Sequence, residues 1–384
     1  MIIGLFVAVL LVGLCVVAAI GAHRSGENAS DRESGLPHPA IYPAGGPVTA
    51  LRRAKPVTAS RASARPGSPA AGGRRRHRDL DLLPAGATVS FDEERKESDI
   101  DGVLAALDRD LVGLVPVKRK VEQIASLLLV DRARNKFGLT APRPNLHMCF
   151  TGPPGTGKTT MALRMAEMLQ RLGYLEKGQL VHAMRDDLVG EFIGHTAPKT
   201  KRVLDRAMGG VLFIDEAYYL YRGFDSKDYG QEVIDILLQV MENQRENLVV
   251  ILAGYKDRME EFFTVNPGMR SRIAHHLDFA PYDLDELDSI GQLMLKEASY
   301  HLSPAARVTF RDLVEQQMRL PGFANARSVR NCLDRARLHH AHRLAGDAGQ
   351  RWARDDLMRL EPTDIVDDDP SPASHLGTTA SAQP

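Results

Sequence analysis

Hydrophobic positions divide this chain into four stretches. Residues 1–22 are almost wholly apolar and carry no charged side chain. A run of about 20 such residues lies on the border between a signal-peptide core and a membrane span. Residues 34–78 are rich in Ala, Ser, Pro and Gly and show no apolar period. From residue 102 to 361, short apolar runs alternate with segments in which apolar residues recur every three or four positions. The first pattern is that of buried strands and the second that of helices. Residues 362–384 are acidic, then Ser/Thr/Ala-rich, and read as a disordered tail.

Within the long middle stretch, strands are predicted at 146–151, 179–183, 211–214, 248–253 and 276–279. Helices are predicted at 117–137, 159–172, 199–208 and 231–241. Strands alternating with helices imply a parallel sheet covered on both faces. After Pro281 only helical patterns remain, at 284–299, 304–319 and 326–344. The expected architecture is an α/β nucleotide-binding domain at 102–280 and a small helical domain at 281–361, with 91–101 as a polar linker.

Charge refines this division. The 384 residues carry 49 basic and 49 acidic side chains, a formal net charge of zero. Residues 1–90 hold 11 basic against 5 acidic, net +6, so the remainder holds 38 against 44, net −6. A mildly acidic globular part argues against a nucleic-acid binder driven by phosphate neutralisation. Three scattered cysteines, Cys15, Cys149 and Cys332, make neither a disulfide framework nor a zinc site, which fits a reducing compartment. Between Ser34 and Arg78 there are nine basic residues and no acidic one. Acid-poor, Arg- and Ser-rich sequence is the composition of an organelle transit peptide. With residues 1–22 as a signal peptide ahead of it, the leader reads as a two-step import signal into the stroma of a plastid bounded by extra membranes. The other reading is an uncleaved anchor facing the cytoplasm, followed by a basic linker.

The strongest chemical signal is Gly152-Pro153-Pro154-Gly155-Thr156-Gly157-Lys158-Thr159, followed by Thr160. It fits G-x-x-x-x-G-K-[ST] at every position and stands between a predicted strand and a predicted helix. Glycines let backbone N–H groups surround phosphates, and the helix N-terminus adds its positive end. Lys158 is placed to reach the β- and γ-phosphates, and the Thr159 hydroxyl to ligate Mg²⁺. The run 211–214 ends in Asp215 and Glu216. Ligands in parallel sheets bind at the carboxyl ends of strands. Asp215 is therefore expected in the Mg²⁺ shell, and Glu216 as the group that polarises the attacking water. No Asn/Thr-Lys-x-Asp sequence for guanine is present, so ATP is the expected nucleotide.

Three further features suit hydrolysis at a subunit interface. Arg270 and Arg272 follow the fourth strand and its helix, where an arginine either reaches a neighbour's γ-phosphate or makes a rim salt bridge. Arg327 opens a helix in the helical domain and either senses the γ-phosphate or lies on the helix surface. Phe192, Ile193 and Gly194, after the second strand, either project into a central pore or tuck under the domain. The tyrosines Tyr218, Tyr219 and Tyr221 read as packing, with a subunit contact as the other option.

From about residue 104 to 344 the sequence resembles the AAA+ ATPases, and within them the CbbX/CfxQ group, the activases of red-type Rubisco. The resemblance is carried by Leu111-Val112-Gly113-Leu114, by segments 151–160, 185–190, 193–201, 207–221, 228–232, 238–243, 248–255 and 266–276, and by 323–337. It implies a P-loop αβα sandwich with a C-terminal helical lid. It also implies a hexameric ring of identical subunits that threads the C-terminal tail of the Rubisco large subunit, releases tightly bound sugar phosphate, and is activated by ribulose 1,5-bisphosphate. By that resemblance, Gly113 belongs to the adenine pocket, Arg272 is the arginine finger with Arg270 the alternate, Arg327 is the second sensor, and residues 192–194 are the pore loop. Two positions depart from the pattern. Phe192 stands where the family usually has Tyr, and Ala253-Gly254-Tyr255 stands where many AAA+ proteins carry a polar first sensor. The alternatives are a membrane-anchored AAA+ remodeller of the sporulation or secretion type, and a nucleotide-dependent scaffold, for which Glu216 would be superfluous.

Overall fold

The computed structural model describes residues 41–42, 82–84, 86–139, 141–221, 229–346 and 349–366. The expected signal peptide or anchor at 1–22, most of the basic segment at 23–90, and the tail from 367 onward lie outside the described residues. After a two-residue strand β1 (Ile41–Tyr42) come three helices, α1 (Phe91–Ser98), α2 (Ile100–Asp110) and α3 (Val115–Lys136). Residues 91–101, expected as a linker, are thus helical. Periodicity missed α1 because ion pairs help dock it on α3. Glu94 is buried between Arg132, at 3.1 Å, and Lys136.

The α/β part follows as β2 (Met148–Thr151), α4 (Lys158–Arg171), β3 (Leu180–Ala183), α5 (Arg185–Leu188), α6 (Thr196–Ala207), β4 (Val211–Ile214), α7 (Gly230–Asn243), β5 (Val249–Gly254), α8 (Lys256–Val265), α9 (Pro267–Arg272) and β6 (His275–Asp278). The sheet order is β1-β3-β4-β5-β2-β6, parallel throughout except for β1 on β3. Successive residues of each strand point to opposite faces. Met148, Phe150, Phe213 and Ile251 join the core shared with α3 and α4, whereas Cys149, Leu212, Ile214 and Leu252 join a second core with α6, α7 and α8. Burial on both faces explains why these strands read as unbroken apolar runs. The register pairs Thr151 with Gly254 and Ile214 with Leu252. The ends of β2 and β4 therefore flank the end of β5, a crevice at the carboxyl edge of the sheet.

The helical part consists of α10 (Leu284–Glu297), α11 (Pro304–Met318) and α12 (Ala326–Gly346), with two short parallel strands, β7 (His301–Leu302) and β8 (Arg359–Leu360). Asp283 and Glu286 exchange side-chain and backbone bonds at the start of α10, a capping box. The ordered chain runs past the expected boundary at 361. Residues Pro362–Asp364 form a 3₁₀ turn, Ile365 is buried, and the buried Asp364 carboxylate accepts two bonds from Arg343, at 2.8 and 2.7 Å. Among the described residues, no helix is long and apolar enough to cross a membrane.

His147, just before β2, ties the sheet to α7. Its Nδ1 accepts from the Val250 N–H at 3.0 Å, so the other ring nitrogen, Nε2, carries the proton and donates to the Met241 carbonyl at 3.0 Å. Burial pushes the imidazole below its ordinary value of 6.5, against smaller contributions from Met241 and Glu242. The native state therefore keeps the ring neutral, while the unfolded chain takes up a proton near pH 6.5. This contribution to stability is present above about pH 6.5 and is lost as pH falls from there through the lower folded value. Thermal melts between pH 7 and pH 5 are expected to show a smaller loss of stability in His147→Gln than in the wild type. Equal losses would contradict this role.

Candidate functional site

The chain leaves β2 at Thr151 and enters α4 at Lys158. Between them Gly152, Gly155 and Gly157 take positive φ of 145°, 72° and 88°, which residues with a side chain rarely adopt. At Gly155 space is a second constraint: a Cβ there would lie 2.0 Å from the Ala324 carbonyl oxygen. Lys158 Nζ donates to the carbonyls of Gly152 and Pro153, at 2.9 and 2.7 Å. Burial pushes this ammonium below its ordinary value. Asp215 and Glu216 pull it up, and Arg327 adds to the lowering. A desolvated cation at the N-terminus of a helix is well placed to bind an anion.

On the far side of β5, Asp215 and Glu216 follow β4. Glu216 sits at φ 49°, in the left-handed region that non-glycine residues enter at a cost of about 1–2 kcal/mol. Its N–H donates to Asp215 Oδ1 at 3.0 Å. Burial works to raise the Asp215 carboxyl, but His182, the Glu216 N–H and Lys158 outweigh it and hold the group below the usual carboxylate range. His182 Nε2 approaches Asp215 Oδ2 to 3.8 Å, longer than a hydrogen bond, and its ring stacks on Phe213.

The helical part closes the crevice. Asn325, at φ 49°, uses both ends of its amide: Nδ2 donates to the Pro154 carbonyl at 3.1 Å, and Oδ1 accepts from the Tyr282 N–H at 3.0 Å. The Ala326 N–H donates to the Gly155 carbonyl, and the Tyr282 hydroxyl to the Thr156 carbonyl at 3.2 Å. The half-open cavity has a volume of about 650 Å³, within the range of small-molecule sites. Gly152, Pro154 to Thr160, Asp215, Glu216 and Arg327 all line it. Leu111, Val112, Ile290 and Met294 add apolar lining. Pro153 contributes a carbonyl that Lys158 and Thr156 use, without lining the cavity. Gly113 is not a lining residue either. It turns the chain at φ 60°, so close to Glu286 that a Cβ would meet that carboxylate.

The donor set fits Mg²⁺ held with a nucleotide. One ionised carboxylate, Asp215, and one hydroxyl, Thr159, line the same cavity. Among the described residues, no group of three or more His, Cys, Asp or Glu could hold a metal by itself. Mg²⁺ keeps most of its waters and commonly binds through one or two protein oxygens plus phosphate.

Arg270 and Arg272 lie on α9 and do not line this cavity. Arg272 donates to the Gly268 carbonyl at 3.1 Å and pairs with Glu242 at 3.4 Å, whereas Arg270 is exposed. Phe192 and Ile193 are 64% and 83% exposed, far from the tucked alternative. The base of their loop is firmly stitched. The buried Thr196 hydroxyl accepts from the Gly190 N–H at 3.0 Å, and Thr200 and Lys199 donate to the carbonyls of Leu188 and Val189.

Sequence reasoning missed Asn325, Tyr282, Tyr218 and His182. Asn325 alone gave a signal: it is a residue that tolerates left-handed backbone, placed just before a predicted helix. The Tyr282 hydroxyl bonds the Thr156 carbonyl and the Tyr218 hydroxyl bonds Glu216, from otherwise buried rings that hydropathy reads as core.

Comparison with known proteins agrees with this geometry. The model of the "ATPase family associated with various cellular activities (AAA)" matches residues 148–281, and that of the "AAA lid domain" matches residues 283–375. The protein "CbxX, chromosomal" of Cupriavidus necator is 62% identical over 277 residues, covering 72% of this chain and 87% of that protein. The "Ribulose bisphosphate carboxylase/oxygenase activase, chloroplastic" of Cyanidioschyzon merolae is 56% identical over 279 residues, covering 73% of this chain and 95% of that protein. A "CfxQ homolog" of Guillardia theta matches to the same extent, 56% over 279 residues.

Asn325→Ala removes two hydrogen bonds and places alanine in left-handed backbone. The expected loss of stability is about 2–4 kcal/mol, with ATP binding weakened at least tenfold. Thermal melts and nucleotide titration check this; an unchanged melting temperature and affinity would contradict it.

Proposed function

The chain belongs to the CbbX/CfxQ group of AAA+ ATPases, and on that premise we propose that it uses ATP to remodel red-type Rubisco. The observation that carries this reading is a complete nucleotide cavity in the same domain as two exposed apolar side chains, Phe192 and Ile193, on a loop with a fixed base. Among the described residues Ile193 is the most exposed large apolar side chain, and Phe192 lies beside it on the same loop. The likeness to the chloroplastic activase of Cyanidioschyzon merolae supports the choice of target.

In this reading the phosphate-loop amides and Lys158 bind and orient the ATP phosphates. Thr159 and Asp215 would hold Mg²⁺, which would supply charge neutralisation for the phosphates. Glu216 orients and polarises the attacking water, and a positioned base of this kind contributes about 10²–10⁴-fold. Arg327 reaches the γ-phosphate from the subunit's own lid and couples lid position to nucleotide state. Arg272, or Arg270, is supplied to the next subunit's cavity. For Arg272 this requires release of Glu242. Subunits assemble into a homo-hexameric ring, and Phe192, Ile193 and Gly194 face its pore. There they grip the C-terminal tail of the Rubisco large subunit, and pulling it opens inhibited sites and frees sugar phosphate. Ribulose 1,5-bisphosphate acts as an allosteric activator. The algal origin of several relatives and the acid-free basic stretch between Ser34 and Arg78 support removal of residues 1–90 on import and a place in the plastid stroma.

An aromatic grip on varied sequence has to be non-directional, which area burial at about 25 cal/mol per Å² provides. Losing the Phe192 ring forfeits roughly 2 kcal/mol or more for each engaged subunit. A lost hydroxyl is about 1 kcal/mol. Phe192→Tyr is therefore expected to reactivate inhibited red-type Rubisco within a few-fold of wild type. Phe192→Ala is expected to lose reactivation while retaining ATP hydrolysis, and Glu216→Gln to bind ATP, hydrolyse it far more slowly and lose reactivation. Normal reactivation by Phe192→Ala would sink the threading role. Normal turnover by Glu216→Gln would sink the assignment of Glu216.

A further inference from the structure

The end of β5 is where a polar side chain facing the γ-phosphate would be looked for, and the residue there is Gly254. It lines the nucleotide cavity, and its φ is not positive, so the backbone does not demand glycine. Space does. A Cβ at this position would lie 2.8 and 2.9 Å from Cδ1 and Cε1 of Tyr218, and 3.0 Å from Cγ of Met259. The volume that a side chain on β5 would take is occupied by the Tyr218 ring, which arrives from the turn after β4.

That ring is fixed and its hydroxyl is aimed. Tyr218 is buried, the Arg258 guanidinium sits 5.3 Å over its face, and Tyr219 and Tyr255 pack beside it at 4.6 and 6.2 Å. Its hydroxyl donates to Glu216 Oε1 at 3.3 Å, and among the described residues no other hydrogen bond reaches the Glu216 carboxylate. Burial and the charge of Glu216 both raise the phenol above its ordinary value, so it stays a donor throughout the working range. Glu216 itself leaves the strand in left-handed backbone, and regular secondary structure does not set the direction of its carboxylate. At 3.3 Å the bond is long for O–H···O, and apo contacts of this kind commonly tighten in the reacting complex.

We infer that the Tyr218 hydroxyl positions the Glu216 carboxylate for water activation, supplying from the turn after β4 the polar contact that Gly254 cannot. The inference rests on the reading of Glu216 given above. Tyr218 does not line the nucleotide cavity; it acts through Glu216, with one Glu216 oxygen held by the phenol and the other left for the attacking water. Its removal therefore lowers turnover without changing nucleotide binding.

The test is steady-state ATP hydrolysis by the full chain, with nucleotide affinity and thermal melts measured alongside. Tyr218→Phe keeps the ring and removes the hydroxyl. Its kcat is expected to fall on the order of tenfold, with KM, ATP affinity and melting temperature close to wild type. In a Glu216→Gln background the same substitution is expected to bring no further loss, because the group it positions is gone. Gly254→Ala pushes the ring aside from the other direction and is expected to lower kcat likewise; it decides the matter if Tyr218→Phe does not fold. Wild-type kcat in a folded variant, or an equal loss in both backgrounds, overturns the inference. Normal turnover by Glu216→Gln alone would instead remove the reading of Glu216 on which it rests.

Discussion

The joint between the phosphate loop and the start of α12 governs this structure. Gly155 has no side chain because the Ala324 carbonyl occupies the place where one would begin. The carbonyls that the loop turns away from the cavity are taken up by Asn325, Ala326 and Tyr282. Buried backbone groups left unpaired cost about 1–3 kcal/mol each. Loop and lid are therefore bound to move together, since separating them would leave several such groups exposed or unsatisfied. Asn325 strengthens the linkage by bonding the hinge at Tyr282 with the same amide. Arg327 lies two residues further on, so the same joint sets the lid's arginine in the wall of the cavity.

The same closure sets the electrostatics. Lys158 and Asp215 are both partly drawn out of water: burial lowers the proton affinity of the amine, and its neighbours keep the carboxylate ionised. Opposite charges in a partly dry cleft interact strongly with each other and with any phosphate between them. The hydrolytic side is held less tightly: Glu216 pairs with one hydroxyl at 3.3 Å and sits on strained backbone. Strain at such a position persists only where the surroundings impose it. Here the surroundings are Phe213 and Ile214 behind, both fully buried, and the packed tyrosine turn ahead.

What could be read in advance follows from which forces leave a trace in one dimension. Val211 to Ile214 was legible as a strand because both faces are buried, and the glycine-lysine loop because its spacing is tied to its geometry. Helix α1 left no apolar period, since Glu94 is held by Arg132 and Lys136. The last turn of the helical part is anchored by the buried pair Asp364 with Arg343 and by Ile365 alone among apolar side chains, and reads as a polar tail. Gly113 was drawn into the nucleotide pocket by its motif, but Leu111 and Val112 line the cavity. Phe192 and Ile193 stood out because apolar residues between Gly190 and Gly194 have no period to join. Tyr218 was indistinguishable from core: nothing in the sequence says that a ring from one strand end fills the gap left by a glycine on the next.

The coupling of this ATPase to a Rubisco substrate is tested most directly by adding the full chain to red-type Rubisco inhibited by tightly bound sugar phosphate and following carboxylation. Activity is expected to recover with ATP, but not with a non-hydrolysable analogue. Steady ATP hydrolysis with no recovery of carboxylation would contradict the account.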